Sequence, residues 1–264
     1  MRFDVITLFP ELFAPFLSAG INRRAFETGA VELKLWQLRD YADGTYRRVD
    51  DRPFGGGPGM VMLAEPLEKC LQAIRHDRAL KNPYEKPVPV VLFSPIGQPL
   101  NHAGVEEWSQ SDGAILICGR YEGLDQRFID AHVDVQVSLG DFVLSGGEIA
   151  AIALLDAVAR LQPGVLNDEG SHQMDSFNPA LDGLLDCGHF TRPEVWKDIT
   201  VPPVLMSGHH AEITKWRRQQ SLVLTQKYRP DLIVGARLAG KLSTQDENFL
   251  FSLGASGLVE SKSN

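Results

Sequence analysis

Three stretches of the 264-residue chain combine residue types and spacing that could do chemistry: "SPIGQPL" (94–100), "CGRYEGLDQR" (118–127) and "SLGDFVLSGGE" (138–148). Glycine has no Cβ, so the backbone N–H and C=O groups beside it can come close to a ligand. One glycine-bearing loop is ordinary turn chemistry. Three of them behind successive strand-like runs predict a composite cleft. A fourth stretch, "FGGGPGMVM" (54–62), is too rich in glycine for helix or strand. It reads either as a mobile connector or as a loop anchored by the flanking "DDRP" and "MVML".

Other candidates are weaker. No G-x-G-x-x-G follows a strand, which removes support for a Rossmann dinucleotide site. "GARLAGKL" (235–242) approaches a phosphate-binding loop, but Leu242 stands where a Ser or Thr would hold magnesium, and the segment reads as helical. "CGH" (187–189) and "HH" (209–210) lack a second pair at zinc spacing, so a structural or solvated role is favoured. Arg160 lies four residues after Asp156, the spacing of a helical ion pair, and Asp175 in "MDSF" reads as a loop acid or a cap. For Trp196 and Trp216, core packing is favoured over stacking on RNA bases.

The elements that must position these residues follow from hydrophobic patterning. Short runs rich in Val, Ile, Leu and Phe (2–9, 31–36, 89–95, 114–119 and 133–139) alternate with helix-like segments at 10–20, 64–80, 101–110, 124–133 and 148–161. Continuously apolar runs are how strands buried on both faces read, so an α/β domain with a mainly parallel sheet is expected. Its ligand loops then lie beyond the C-terminal ends of the strands. After residue 161 the texture turns polar and irregular, and helix-like segments return at 211–228 and 243–253. Ser243 and Thr244, with Glu247 three residues after Thr244, predict the start of the last helix. The expected division is an α/β domain over 1–161, a linker over 162–180 and a smaller helical domain over 181–264.

Composition limits the functional classes. Hydrophobic residues make up 44% of the chain, enough for a core, and no apolar run reaches the length of a membrane span. "MRFDVITLFPELFAPFL" is interrupted by Asp4, Pro10 and Glu11 and reads as a strand and helix, not a leader. Three widely spaced cysteines suit reduced thiols in a cytoplasm. The net charge of −8 argues weakly against a polyanionic partner, but basic islands at 22–24, 47–52 and 215–220 qualify it.

The blocks "RPFGGGPGMVM", "SPIG", "CGRYEGLDQR", "GDFVLSGGE", "LLDCGHFTRPEVW" and "VPPVLMSGHHAEITKWRRQQSL", in this order, resemble the bacterial tRNA guanine-N1 methyltransferases. The resemblance runs from the first strand to about residue 235. Phe142 and Phe190 stand where Tyr is common, Gly188 where Pro is common, and Asn178-Pro179 resembles a small insertion. The resemblance implies a SPOUT fold, in which part of the parallel sheet is threaded as a trefoil knot whose loops bind S-adenosylmethionine. By position it implies cofactor contacts from Phe93, Ser94, Pro95, Gly119, Tyr121, Glu122, Ser138, Leu139, Gly140, Phe142, Leu144, Gly146 and Gly147. It further implies methyl transfer to N1 of the guanosine at tRNA position 37, 3′ of the anticodon. Asp175 is the implied general base, Arg160 the group that stabilises charge on O6, and Glu122 a further participant. Magnesium is implied without an identifiable site, as are a homodimer, a tRNA-binding C-terminal domain and a cytoplasmic location with no membrane contact. Sister families that share the fold act on a ribose 2′-hydroxyl, and a non-catalytic RNA-binding dimer would use the same loops.

Overall fold

The structure, a computed structural model, describes residues 1–84, 86–166 and 171–260, without the side chains of Ser171 and 254–260. Residues 167–170 of the expected linker lie outside the described residues. The chain divides into two compact units, Met1–Asn167 and Asp168–Asn264.

In the first unit the strands are β1 (Arg2–Thr7), β2 (Glu32–Gln37), β3 (Asp50–Asp51), β4 (Val61–Met62), β5 (Val90–Pro99), β6 (Gly113–Ile117) and β7 (Val135–Ser138). The helices between and after them are α1 (Ala14–Ser18), α2 (Asn22–Glu27), α3 (Ala64–Lys81), α4 (His102–Ser109), α5 (Gln126–His132) and α6 (Glu148–Ala159). Five strands form one parallel sheet in the order β2-β1-β6-β5-β7. The two-residue strands β3 and β4 pair antiparallel.

Alternate side chains of the central strands feed two cores. Phe3, Val5, Ala114 and Leu116 pack with Ala151, Leu154, Leu155 and Val158 of α6. Ile6, Ile115 and Ile117 pack with Leu67, Cys70, Leu71 and Ile74 of α3. Burial on both faces is the physical reason the strands read as unbroken apolar runs. Asp4 breaks the run in β1 and is fully buried. It accepts from Arg2 and Arg78 at 2.6 Å and from the Trp36 indole at 2.8 Å.

The second unit contains a hairpin of β8 (Val195–Trp196) and β9 (Ile199–Thr200), then α7 (His210–Tyr228), α8 (Pro230–Leu238) and α9 (Thr244–Glu260). Leu184, Leu222, Ile233, Ala236 and Leu250 form its core. The segment that approaches a phosphate-binding loop is the end of α8. Gly240, at φ +67°, turns the chain, and Lys241 N–H returns to the Ala236 carbonyl. No helix among the described residues is long and apolar enough to cross a membrane.

Candidate active site

The first wall of the site comes from an interruption in β5. Its ladder with β7 runs from Val91 to Phe93, skips residues 94–97 and resumes at Gln98. "SPIG" is therefore an excursion inside a strand, where the sequence pattern placed it after one. The excursion leaves Ile96 exposed and presses Gly97 against β7: a Cβ there would lie 2.5 Å from the backbone of Gln136 and Val137.

The second wall follows β6. Tyr121 adopts a positive φ, Glu122 N–H donates to the Met60 carbonyl, and Met62 N–H donates to the Gly123 carbonyl. With β3 and β4 paired behind it, the loop over 54–60 is tied at both ends. A Cβ on Gly59 would collide with the Glu122 carboxyl, so that glycine makes room for the acid. Burial first, and then the Asp50 carboxylate, push the Tyr121 phenol above its ordinary value.

The third wall is the segment that leaves β7 and returns to β6. Gly147 N–H donates to the Gly119 carbonyl at 3.0 Å, and Gly146 bridges Arg120. A Cβ on Gly147 would lie 2.7 Å from the Cα of Cys118, so this crossing requires a bare backbone. Burial raises the Cys118 thiol well above its usual range, which keeps it protonated.

A buried ion pair pins the second and third walls together. Arg120 extends one arm to Glu148 at 2.8 Å and the other to the Ser145 carbonyl at 3.1 Å. Glu148 is fully buried in the first turn of α6, accepts from the Thr7 hydroxyl at 2.8 Å, and lies at the favourable end of the helix dipole. The Arg120 guanidinium also stacks over Phe9 at 4.4 Å.

The three walls enclose a cavity of about 400 Å³. Phe93, Ser94 and Pro95 line it from β5, Gly119, Tyr121 and Glu122 from the β6 loop, and Ser138, Leu139, Gly140, Phe142, Leu144, Gly146 and Gly147 from the segment after β7. The structure thus gathers in one place all the residues expected to contact a cofactor. Sequence reasoning missed Arg120, although it lies inside a quoted motif, and Gln126 and Ile129, whose i,i+3 spacing on α5 directs both to the cavity.

Residues 1–235 match the family model described as tRNA (Guanine-1)-methyltransferase TrmD. The chain belongs to this methyltransferase family. A tRNA (guanine-N(1)-)-methyltransferase from Polaromonas sp. (strain JS666) is 70% identical over 96% of this chain and 97% of its own. The enzyme of the same name from Paracidovorax citrulli is 67% identical over 96% and 98%. That from Albidiferax ferrireducens is 68% identical over 96% and 99%.

In this member of the tRNA (guanine-1)-methyltransferase family, Arg160 caps the C-terminus of α6 in the first unit. Asp175 lies in the second unit, behind a short 3-10 turn (Ser171–Met174), and its carbonyl accepts from Asn178 N–H. Among the described residues no group of three or more His, Cys, Asp and Glu side chains could hold a metal ion. Glu122 supplies a single carboxylate, so no step is assigned to magnesium.

Proposed function

We infer that the chain transfers a methyl group from S-adenosylmethionine to N1 of the guanosine at tRNA position 37. The observation that carries this reading is the convergence of three glycine-bearing loops on one cavity, closed where Gly147 packs against the Cys118 backbone too tightly for a Cβ. The lining mixes apolar side chains such as Phe93, Leu139 and Leu144 with polar ones such as Ser94, Tyr121 and Glu122, which suits a cofactor with a flat ring and a polar tail. When bound, S-adenosylmethionine supplies an electrophilic methyl group on a sulfonium.

The chain's residues divide the remaining work. Guanine N1 carries a proton and is a poor nucleophile until it leaves. Asp175 takes that proton, and Arg160 donates to O6, where the resulting negative charge gathers. A carboxylate is a weak base for this task, so the guanidinium at O6 is what makes the transfer feasible. Phe142 and Leu144 line the cavity, and the Glu122 backbone N–H holds the β6 loop against the Met60 carbonyl.

The return of residues 139–147 from the edge strand β7 to the end of the central strand β6 supports a SPOUT-type trefoil knot. The chain acts as a homodimer in which Asp175 serves the cofactor of the partner chain, as the family resemblance implies. The C-terminal unit is the tRNA-binding half, and a tRNA substrate places the enzyme in the cytoplasm.

The test is methyl transfer from labelled S-adenosylmethionine to tRNA transcripts with guanosine or adenosine at position 37, using wild type and Asp175→Ala. Transfer to the guanosine transcript alone, lost in the variant, is expected. Methylated ribose in place of methylated base, or activity unaffected by Asp175→Ala, overturns the assignment.

A further inference from the structure

The second unit has its own cavity, of about 720 Å³, which the chemistry above does not use. It lies between the start of α7 and the segment that carries the β8–β9 hairpin. Its wall includes Phe190 and Trp216, packed edge to face with ring centroids 6.0 Å apart. Trp216 is half-buried, so one part of the indole anchors in the unit while the rest faces the cavity.

Two guanidinium groups on this wall distinguish it from ordinary surface. Arg218, Arg229 and Arg237 in the same unit each hold a carboxylate at 2.7–3.0 Å. Arg192 and Arg217 line the cavity, and among the described residues neither has a hydrogen-bond or ion-pair partner. Arg217 directly precedes Arg218 on α7, so adjacent arginines have opposite fates: Arg218 is tied to Asp182 and Asp246, and Arg217 is left open. His189 is held at the rim by Asp186 at 2.9 Å, and Glu194 supplies an acceptor.

An open aromatic edge beside two unpaired guanidinium groups matches a flat ring attached to an anion. Arginine pairs with phosphate through parallel N–H bonds, and aromatic side chains stack on unpaired bases. We propose that this cavity holds one unstacked nucleotide of the tRNA, with its base against Phe190 and Trp216 and its phosphate on Arg192 and Arg217. The assignment rests on the tRNA reading above and gives the C-terminal unit a grip of its own. Single-stranded segments of RNA are where proteins bind splayed-out bases. The basic island at 215–220 is thus split between ion pairs that build the unit and a cation that faces the ligand.

Filter binding of an unmodified tRNA transcript to the full-length protein, between about 50 and 200 mM salt, tests the proposal. Arg192→Gln and Arg217→Gln should each weaken binding about tenfold and reduce the salt slope by about one, with the cofactor KM within about twofold of wild type. Phe190→Ala should weaken binding by a similar factor and leave the salt slope unchanged. Should thermal denaturation show that Arg217→Gln disturbs α7, Arg192→Gln in the exposed loop decides. Wild-type affinity and slope in both arginine variants, in a protein that methylates tRNA, would overturn the nucleotide site and leave the methyltransferase reading intact. A silent Phe190→Ala beside reduced slopes would also overturn it, in favour of a basic surface without a base pocket. If wild type neither binds nor methylates tRNA, the proposed function itself falls.

Discussion

The Arg120 guanidinium and the Glu148 carboxylate meet at 2.8 Å behind two walls of the candidate active site, and Glu148 has no exposed surface. A buried pair of this kind adds little net stability when intact, but removing one partner leaves an uncompensated charge. Glu148→Ala should therefore lower stability to denaturant by about 3–5 kcal/mol. Arg120→Lys keeps the charge but cannot reach both Glu148 and the Ser145 carbonyl. Calorimetric titration with S-adenosylmethionine should show about tenfold weaker binding for Arg120→Lys, corresponding to the loss of one charge-assisted hydrogen bond.

Glycine substitutions separate close contact from open space. Gly147→Ala puts a Cβ into the backbone of Cys118, which cannot move without disturbing β6. Destabilisation of about 1–3 kcal/mol and loss of cofactor binding are expected. Gly235 in α8 has nothing within 4 Å of a built Cβ. Gly235→Ala should instead raise stability by up to about 1 kcal/mol, because alanine is the better helix former. Thermal melts of the two variants check both signs.

Asp246 sets an acid limit on the second unit. Burial alone would raise its carboxyl, but Arg218 and the Ser243 hydroxyl and N–H outweigh burial and hold it below the usual carboxylate range. A folded pKa below the unfolded one gives stabilisation that is complete above the unfolded value and lost as pH falls through the folded value. Urea midpoints measured from neutral pH down to about pH 2 should fall more steeply below about pH 4 for wild type than for Asp246→Asn.

If Asp175 serves the partner's cofactor, two inactive variants should restore each other. An Asp175→Ala chain has an intact cavity, and a Gly147→Val chain has an intact Asp175. Co-expression yields mixed dimers in half the population, each with one complete site. About a quarter of wild-type methyl transfer is expected. Activity near zero in verified mixed dimers would place Asp175 and the cavity of the same chain in one site.

What the sequence made legible follows from how each feature is encoded. The sheet was readable because its central strands are buried on both faces, and the cavity because glycine spacing marks close backbone approach. The excursion of 94–97 inside β5 was not readable, since "SPIGQPL" looks the same after a strand as within one. The start of α9 was placed correctly but its chemistry was not: Asp246 N–H donates to the Ser243 hydroxyl and Ser243 N–H to Asp246, while Glu247 pairs with Arg237. Two candidate acids, Asp246 and Glu247, stand side by side, and only the fold chose between them. Trp196, for which core packing was favoured, is exposed on a two-stranded hairpin with no core beneath it. The roles of Asp4 and Arg120 were not legible because Arg78 lies 74 residues from Asp4 and Glu148 lies 28 residues from Arg120.

The strand order has a consequence for how the protein comes into being. β1 is the second strand of the sheet, yet its inner neighbour β6 begins at residue 113, and β5 and β7 complete the sheet only at residue 138. During synthesis, β1 and β2 can pair once Gln37 is made but keep an unsatisfied apolar edge until β6 begins at Gly113. Assembly dominated by such distant partners is slow and raises the risk of misassociation. The cofactor cavity closes last, when residues 145–147 settle against the end of β6, so binding competence is a marker that the whole first unit has matured.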